Sequence, residues 1–517
     1  MGGFNLSEIL KLIDRAFSEG VNITFNDGEL QLHVEKGKQI DKDLLAELRE
    51  HKPNLIYYFQ KYRSGNNNLS EFQKPDRQGI EHVPLSFAQE RLWFIDQLEG
   101  SVQYHLPTIL RLKGDLNIQA LEFTLKQIIT RHEVLRSAIH LHDGAGYQEV
   151  MQLEGVALNV IDGKHLKGNI EAQIQTAREL IRKPFNLAQD LKLRVNLIQL
   201  DSKEFLLVTV MHHIASDAWS SAIMVREVAE FYAAFVENRQ ANVPELEVQY
   251  SDFAIWQRNY LQGEVLNKKL DYWKGKLSGY DTLNLPLDKT RPSQQSNAGA
   301  NFSFTIDKAL SENINALSVD NGATLYMTLL AAYNVLLHRY SRQNDICVGT
   351  SMASRDIREF ENLIGFFVNT LTLRNQIETK GDFLELLLQV KTTTLQAYEH
   401  QDVPFEKIVE AVVEERDPSR NPLFQVMLVL ANTPDGDTLK LGNLELQLEN
   451  YEPNTSKFDL TFFINETEDG LKGLVQYATD LFTESTISGM VNHYREILQS
   501  VTTNPNQKIE EIGLVDN

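Results

Sequence analysis

The run Phe205-Leu206-Leu207-Val208-Thr209-Val210 limits the fold of this chain more than any other feature. It is almost continuously apolar, which predicts a strand covered on both faces and therefore a layered α/β architecture. Directly after it comes Met211-His212-His213-Ile214-Ala215-Ser216-Asp217-Ala218-Trp219-Ser220, which places two imidazoles and a carboxylate at the strand's end. From Ala218 onward, Ala222, Ile223, Val225, Val228, Ala229, Phe231 and Tyr232 fit one broad helical face. Ser216 or Asp217 is placed to cap the first turn of that helix. The segment reads as strand, turn and helix, with the turn in the position of an active site.

Composition sets how much weight this pattern carries. With 13 histidines in 517 residues, about one His-x-x-x-Asp arises by chance at average aspartate usage. The short pattern is equally compatible with a satisfied core histidine beside a helix cap. The doubled histidine and the strand and helix around it move the reading toward chemistry, and the rest of the chain has to decide.

A chain of 517 residues with 42% hydrophobic content can bury several cores and should divide into more than one domain. A net charge of -21 argues against a general nucleic-acid binder. The single cysteine, Cys347, excludes an internal disulfide and any Cys-x-x-Cys metal or redox site. It lies in an apolar, strand-like setting that predicts a buried, inert thiol. No metal site is expected, and a reducing cytoplasm fits. The N-terminus lacks a basic segment followed by an apolar core, and the longest apolar stretch, Thr324 to Leu337, is interrupted by polar residues and too short to span a bilayer. That stretch reads as a core helix, and no membrane partner is expected. Asn-x-Ser/Thr patterns at Asn22, Asn68 and Asn301 are most simply chance matches without a secretory signal.

Three parts are legible. In residues 1–62, Leu6, Ile9, Leu10, Ile13 and Phe17 recur at helical spacing and Gly20 ends the run. Val21, Ile23 and Phe25 then alternate up to Asp27-Gly28, and Leu30, Leu32 and Val34 alternate back, which predicts a hairpin apolar on one face and polar on the other through Asn22, Thr24, Gln31 and His33. Two helices should follow, one carrying Leu44, Leu45 and Leu48, the next opened by Pro53. Residues 63–79 are polar and nearly free of branched apolar side chains, as a linker would be. Residues 80–517 mix helix and strand. A helix around Leu121, Leu125, Ile128 and Ile129 and a second, Leu325 to Arg339, each lead into an apolar segment, so two similar halves are expected, dividing near residues 256–275.

Six further segments accompany the double histidine in order: Ser86-Phe87-Ala88-Gln89-Glu90-Arg91-Leu92-Trp93; Arg131-His132-Glu133-Val134-Leu135-Arg136; Tyr250-Ser251-Asp252-Phe253-Ala254-Ile255-Trp256-Gln257; Ile364-Gly365-Phe366-Phe367-Val368-Asn369-Thr370-Leu371; His400-Gln401-Asp402-Val403-Pro404-Phe405-Glu406; and Arg420-Asn421-Pro422-Leu423-Phe424-Gln425-Val426-Met427. Together they resemble the seven core motifs of condensation domains from nonribosomal peptide synthetases, over about Ile80 to the C-terminus. The Asp-Phe-Gly-Trp-Gly signature of plant acyltransferases that use coenzyme A is absent. The order helix, hairpin, helix, helix in residues 1–62, with Ala46-Glu47-Leu48-Arg49-Glu50-His51-Lys52-Pro53, resembles the N-terminal docking domains of the TubC type.

The resemblance implies two chloramphenicol-acetyltransferase-like lobes set in a V with a tunnel between them, the N-lobe at about 80–265 and the C-lobe at about 266–517, preceded by a small α-β-β-α-α docking domain. It implies amide formation between a donor acyl or peptidyl thioester and an acceptor aminoacyl thioester, both presented on phosphopantetheine arms of carrier proteins, with no cofactor bound by the chain itself. His213 matches the motif histidine that faces the tunnel, as base or as orienting group. His212 matches the histidine that supports the turn. Asp217 is implied to pair with Arg355 rather than to relay protons. Ala218, Trp219 and Ser220 extend the motif along the turn and tunnel, with Ala218 standing where the family usually has glycine. The docking resemblance implies that the C-terminal motif of an upstream synthetase subunit pairs with the hairpin near Asn22, Thr24, Gln31 and His33.

The chain has no Gly-x-Ser-x-Gly elbow, which makes Ser220 a poor nucleophile candidate. It has no Gly-Gly-x-Ser carrier attachment site either, so it is expected to act on carriers and to be part of a longer subunit with an adenylation domain downstream. The alternatives are a noncatalytic module that recruits carriers and a starter-type domain that transfers a fatty acyl group.

Overall fold

The computed structural model describes residues 72–513 except 154–157, 356, 432–440 and 450–453. In the N-terminal part it describes 21–26, 29–34, 40–52 and Leu12, Arg15, Ala16 and Leu55, without several of the hairpin side chains. The hairpin is β1 (Val21–Asn26) and β2 (Glu29–Val34), paired antiparallel with Asn26 opposite Glu29, so the connection is the two residues Asp27-Gly28. α1 (Lys42–Glu50) is capped by the Asp41 carboxylate, which accepts from Leu44 N–H. Leu44 and Leu48 join Val21, Ile23, Leu12, Ala16 and Leu55 in a small core. Leu32 and Val34 depart from the expected buried face and are exposed, because the described residues of the unit leave that end of β2 uncovered. The remainder of the expected helices at 6–17 and after Pro53 falls outside the described residues.

The expected linker runs to residue 79, yet its second half is anchored. The Phe72 ring packs edge-on against Phe360 at 4.8 Å and Trp256 at 6.0 Å. Arg77 pairs with Asp252 at 2.6 Å and Glu133 at 2.9 Å. A polar composition is read as a tether, but ion pairs to residues far along the chain hold this strap in place, and composition carries no trace of them.

Two mixed sheets dominate the rest. The first has the order β14-β4-β9-β8-β7, from β4 (His105–Lys113), β7 (Leu158–Asp162), β8 (Leu193–Gln199), β9 (Glu204–His212) and β14 (Glu445–Leu448). The second has the order β10-β16-β15-β13-β11-β12, from β10 (Gly299–Asp307), β11 (Asp345–Met352), β12 (Asn369–Gln376), β13 (Val426–Ala431), β15 (Leu460–Thr467) and β16 (Gly470–Ala478). A three-stranded sheet of β3 (Val83–Pro84), β5 (Ser137–His142) and β6 (Ala145–Val150) flanks the first.

The apolar run of β9 is buried almost throughout, with Leu206, Val208 and Val210 fully so. Each such side chain stabilises the sheet by roughly 1.5–3 kcal/mol. α2 (Phe87–Glu99) precedes β4, and α4 (Ile170–Arg182) packs on β9 and β4. α3 (Ile118–Arg131) packs on α5 (Ala218–Val236), the helix that leaves the double-histidine turn. The change of core falls between α6 (Tyr250–Tyr260), which gives Tyr250 and Phe253 to the first core, and α7 (Gly263–Leu277), which gives Leu270, Trp273 and Leu277 to the second. The second core also takes α8 (Lys308–Asp320), α9 (Leu325–Ser341), α10 (Phe383–Glu399), α11 (Phe405–Val412) and α12 (Glu484–Thr503).

The halves are not separate in sequence. Phe360, Leu363, Ile364, Phe367 and Leu441 pack into the first core although they follow α7, and β14 pairs antiparallel with β4. Cys347 on β11 is buried, and that burial pushes its thiol up to about 12. No described helix is long and apolar enough to cross a membrane.

Candidate active site

β9 ends at His212, which sits opposite His105 on β4, and a short turn over His213–Ala215 carries the chain into α5. His212 is fully buried. Its Nδ1 accepts from Ile214 N–H at 3.1 Å, so the proton of the neutral ring lies on Nε2, which donates to Ser101 Oγ at 2.8 Å. Ser101 Oγ–H in turn donates to Asp96. Burial first, and the charges of neighbouring residues after it, hold the His212 imidazole well below its ordinary pKa. Both ring nitrogens are occupied inside the protein, so this residue braces the turn.

His213 faces the other way, into a cavity of about 660 Å³ lined from both sheets. Its ring lies 4.6 Å from Phe366 and 6.5 Å from Tyr104. Nδ1 is buried and has no hydrogen-bond partner among the described residues. Burial, with the nearby Lys457 ammonium, lowers its pKa to about 4, so the imidazole is neutral at physiological pH.

Asp217 is the N-cap of α5 and is fully buried. Its Oδ1 accepts from Ser220 N–H at 2.9 Å and Ser220 Oγ–H at 2.7 Å, and its Oδ2 from Phe367 N–H at 3.1 Å. Arg355 Nη2 reaches the carboxylate at 3.0 and 3.3 Å and Ser220 Oγ at 3.0 Å. Arg355 Nη1 donates to Phe360 and Leu363 carbonyls, both at 2.7 Å, and the guanidinium lies over the Phe367 ring. Burial lowers the Arg355 pKa and Asp217 offsets part of that effect. The network pins the 360–367 loop to the double-histidine turn.

Ala218, Trp219 and Ser220, expected along the turn and tunnel, follow the turn at the start of α5 and do not line this cavity. Helical periodicity turns Ala218 and Trp219 outward, with Trp219 48% exposed and its Nε1–H donated to Glu361 O. Ser220 is buried behind the turn, bonded to Asp217 and accepting from Gly365 N–H at 3.1 Å. The alanine at 218 sits at the first helical position and has no positive φ, so the left-handed freedom of glycine is not used here.

Of the hairpin residues, Gln31 is exposed, while the side chains of Asn22, Thr24 and His33 lie outside the described residues; in the backbone register Asn22 faces His33 and Thr24 faces Gln31. Among the described residues no cluster of three or more His, Cys, Asp or Glu is placed to hold a metal ion.

The separated sequence segments converge on this turn. Ser86 caps α2 and bonds the Tyr250 hydroxyl at 2.8 Å, and that hydroxyl donates to Phe366 O at 2.7 Å. Gly365 is required by close approach, because a Cβ there would stand 2.2 Å from the Tyr250 ring. His132 joins Glu227 at 2.8 Å on α5 and accepts from Ile364 N–H at 3.4 Å. Asn369 Nδ2 holds the Gln401 and Val403 carbonyls at 2.7 Å. Arg91 on α2 pairs with Glu406 on α11 at 3.1 Å, across the cavity. Sequence reasoning missed Asp96, Ser101 and Tyr104, which lie more than a hundred residues from the histidines they serve. It also missed Lys457, which no pattern in the surrounding residues marks out.

Two sheets meeting at a cavity, with one imidazole facing it and a buried Asp–Arg pair bracing the turn from behind, define an acyltransferase site of the His-x-x-x-Asp type. The condensation domain family matches residues 80–517, and the chain belongs to that family, whose members form amide bonds in nonribosomal peptide synthesis. It is 42% identical over 440 residues to one of the linear gramicidin synthase proteins of Brevibacillus parabrevis, covering 84% of this chain and 9% of that protein. With malpinin synthetase of Mortierella alpina it shares 39% identity over 432 residues, covering 83% of this chain and 6% of that protein. The chain thus spans less than a tenth of the length of these relatives. Among solved structures it resembles the X-domain of teicoplanin biosynthesis in complex with OxyB, with a TM-score of 0.77 and 28% identity over 84% of this chain and 97% of that one. A four-domain nonribosomal peptide synthetase bound to AMP and glycine shares the fold, with a TM-score of 0.76 at 23% identity over 87% of this chain and 35% of that one.

Proposed function

We propose that residues 80–517 join a donor acyl or peptidyl thioester to an acceptor aminoacyl thioester, with His213 as the group that handles the amine proton. The observation that carries this is His213 itself: a half-buried, neutral imidazole at the cavity wall, against a neighbouring histidine wholly consumed by the fold. The acceptor nitrogen's lone pair attacks the thioester carbon, its proton passes to the imidazole, the tetrahedral adduct collapses with cleavage of C–S, and the thiolate takes the proton from the imidazolium. Atoms and charge balance without a covalent enzyme intermediate. Thioester aminolysis is downhill once the amine is free, so holding two substrates together in a water-poor cavity supplies much of the rate.

In this reading the two halves form lobes of a V, with the N-lobe at about 80–265 and the C-lobe at about 266–517. The cavity is the middle of a tunnel entered by phosphopantetheine arms from donor and acceptor carriers. Asp217 and Arg355 position the turn and do not touch substrate. Residues 1–62 dock the C-terminal motif of an upstream subunit through the hairpin, an adenylation domain follows in the native subunit, and the protein works in the cytoplasm. The exposed Gln31, Leu32 and Val34 of β2 support an open strand surface for such docking.

The test is intact-mass analysis of an acceptor carrier bearing a nonhydrolysable aminoacyl arm, mixed with an acyl-loaded donor carrier and either this protein or its His213→Ala variant. A mass gain equal to the acyl group with the parent alone supports the reading. A gain with neither protein, across peptidyl and fatty acyl donors and with carrier binding demonstrated, favours a recruiting module, a role compatible with the likeness to an X-domain solved in complex with another protein. A gain only with fatty acyl donors identifies a starter-type domain. The docking assignment is read separately, by titrating an upstream C-terminal peptide against Gln31→Glu, for which a loss of affinity is expected.

A further inference from the structure

Lys457 brings an ammonium group into the wall of the same cavity. Its Nζ lies 4.2 Å from the centroid of the Tyr104 ring, which is also 6.5 Å from the His213 imidazole. The remaining charges around the cavity are balanced or wet. Arg91 pairs with Glu406, Asp402 with Lys269 at 2.6 Å, and Arg182 and Glu99 at the rim are exposed. Lys457 has no carboxylate partner among the described residues. Burial lowers its pKa to about 8, with Arg91 adding to the effect, so it is still predominantly protonated at neutral pH. Its backbone is held firmly. Gln295 Nε2 donates to Lys457 O at 2.8 Å, and Ser456 N–H to Asn297 O at 2.9 Å.

A cation in the cavity wall without a carboxylate partner among the described residues is complementary to negative charge that arises there only during reaction. The substrates of the proposed reaction supply one such charge at their reacting atoms. When the amine nitrogen bonds to the thioester carbon, the carbonyl π pair moves onto oxygen, and the nitrogen's proton leaves to His213. We infer that Lys457 stabilises this tetrahedral oxyanion, with Tyr104 packed beside both it and the base. The oxygen's charge returns to the carbonyl when C–S breaks and the thiolate departs to take the proton from His213. The two charged steps are thereby divided between neighbouring side chains, a base that is neutral at rest and a cation that stays charged. This assignment rests on the condensation reading.

The test pairs binding with single-turnover kinetics on the full chain. Two ligands are compared, a phosphonamidate that mimics the tetrahedral anion and the planar amide product. Lys457→Met is expected to lower the single-turnover rate about 10²–10³-fold, as loss of one oxyanion donor does. It should weaken phosphonamidate binding more than tenfold and leave the affinity for the planar amide unchanged. Lys457→Arg, which keeps the charge and the fold, should recover most of both losses. Equal phosphonamidate affinity in parent and Lys457→Met overturns the assignment, and so does a parallel loss for both ligands, which marks a structural role. Either result alongside normal product formation by the parent protein leaves the condensation reading standing. A parent protein that makes no product and does not prefer the phosphonamidate overturns both.

Discussion

The two sides of the double-histidine turn are built on opposite terms. Behind it, Asp217, Ser220 and Arg355 are buried and bonded to one another and to the 360–367 backbone, with Arg355 Nε left as the unpartnered atom of the three. In front, His213, Trp256, Ser354 and Lys457 line the cavity, and among the described residues His213 Nδ1, Trp256 Nε1 and Ser354 Oγ find no hydrogen-bond partner and Lys457 no carboxylate. A buried polar group without a partner is destabilising by about 1–3 kcal/mol. Such groups persist where a ligand completes them, whereas satisfied networks hold shape. The same three-residue turn separates a satisfied network from the cavity wall, and on the proposed reading substitutions on its two sides should fail differently.

His213→Ala should lower the single-turnover rate about 10²–10⁴-fold with an unchanged melting temperature, the range for loss of a general base. Rate and thermal unfolding measured on one preparation check this, and a fall in both together would erase the contrast between the sides. Asp217→Ala should do the reverse in kind. It strands the Arg355 guanidinium, and breaking a buried pair costs about 3–5 kcal/mol. Denaturant unfolding should show that loss, with activity falling as a consequence of a displaced turn. An Asp217→Ala protein of parental stability but no activity would place the carboxylate in the chemistry instead.

The pH dependence sharpens the same comparison. His213 has a folded pKa of about 4 against roughly 6.5 when unfolded. Between those values the unfolded chain binds more protons, so this residue's contribution is present above pH 6.5 and is lost as pH falls toward 4. Denaturation midpoints of the parent and His213→Ala, equal at pH 7, should therefore separate in favour of the variant at pH 5. The acidic limb of the rate profile should lie well below 6.5 unless the acceptor amine sets it. The smallest effect belongs to Ala218→Gly. At the first helical turn it should destabilise by under about 1 kcal/mol and leave the rate intact, since Ala218 does not face the cavity. A large gain in rate would show that the backbone amide there approaches the substrate.

Much of this arrangement is legible in the order of residues. The apolar run of β9, the polar turn and the amphipathic α5 are local patterns, and local patterns follow from backbone geometry and side-chain burial. The seven separated segments identified the family, although their wording does not say which touches which. The Asp217–Arg355 pair could be named through that resemblance, while its joint hold on Ser220 and the 360–367 loop could not. The expected linker misled because Phe72 and Arg77 find their partners at Phe360 and Asp252, beyond the reach of composition. Trp219 misled because a motif position does not state which way a helical side chain points.

What the sequence determined by itself is the set of elements, the strand-turn-helix that carries His212 and His213, and the family, since each is written in neighbouring residues or in their order. The tertiary structure alone decided that Ser101 and Asp96 are the partners that brace His212, that β14 returns to the first sheet, and that Lys457 and Tyr104 meet His213 at one cavity. These relations join residues a hundred or more positions apart, and only the packing of two cores against each other brings them within hydrogen-bonding and electrostatic range.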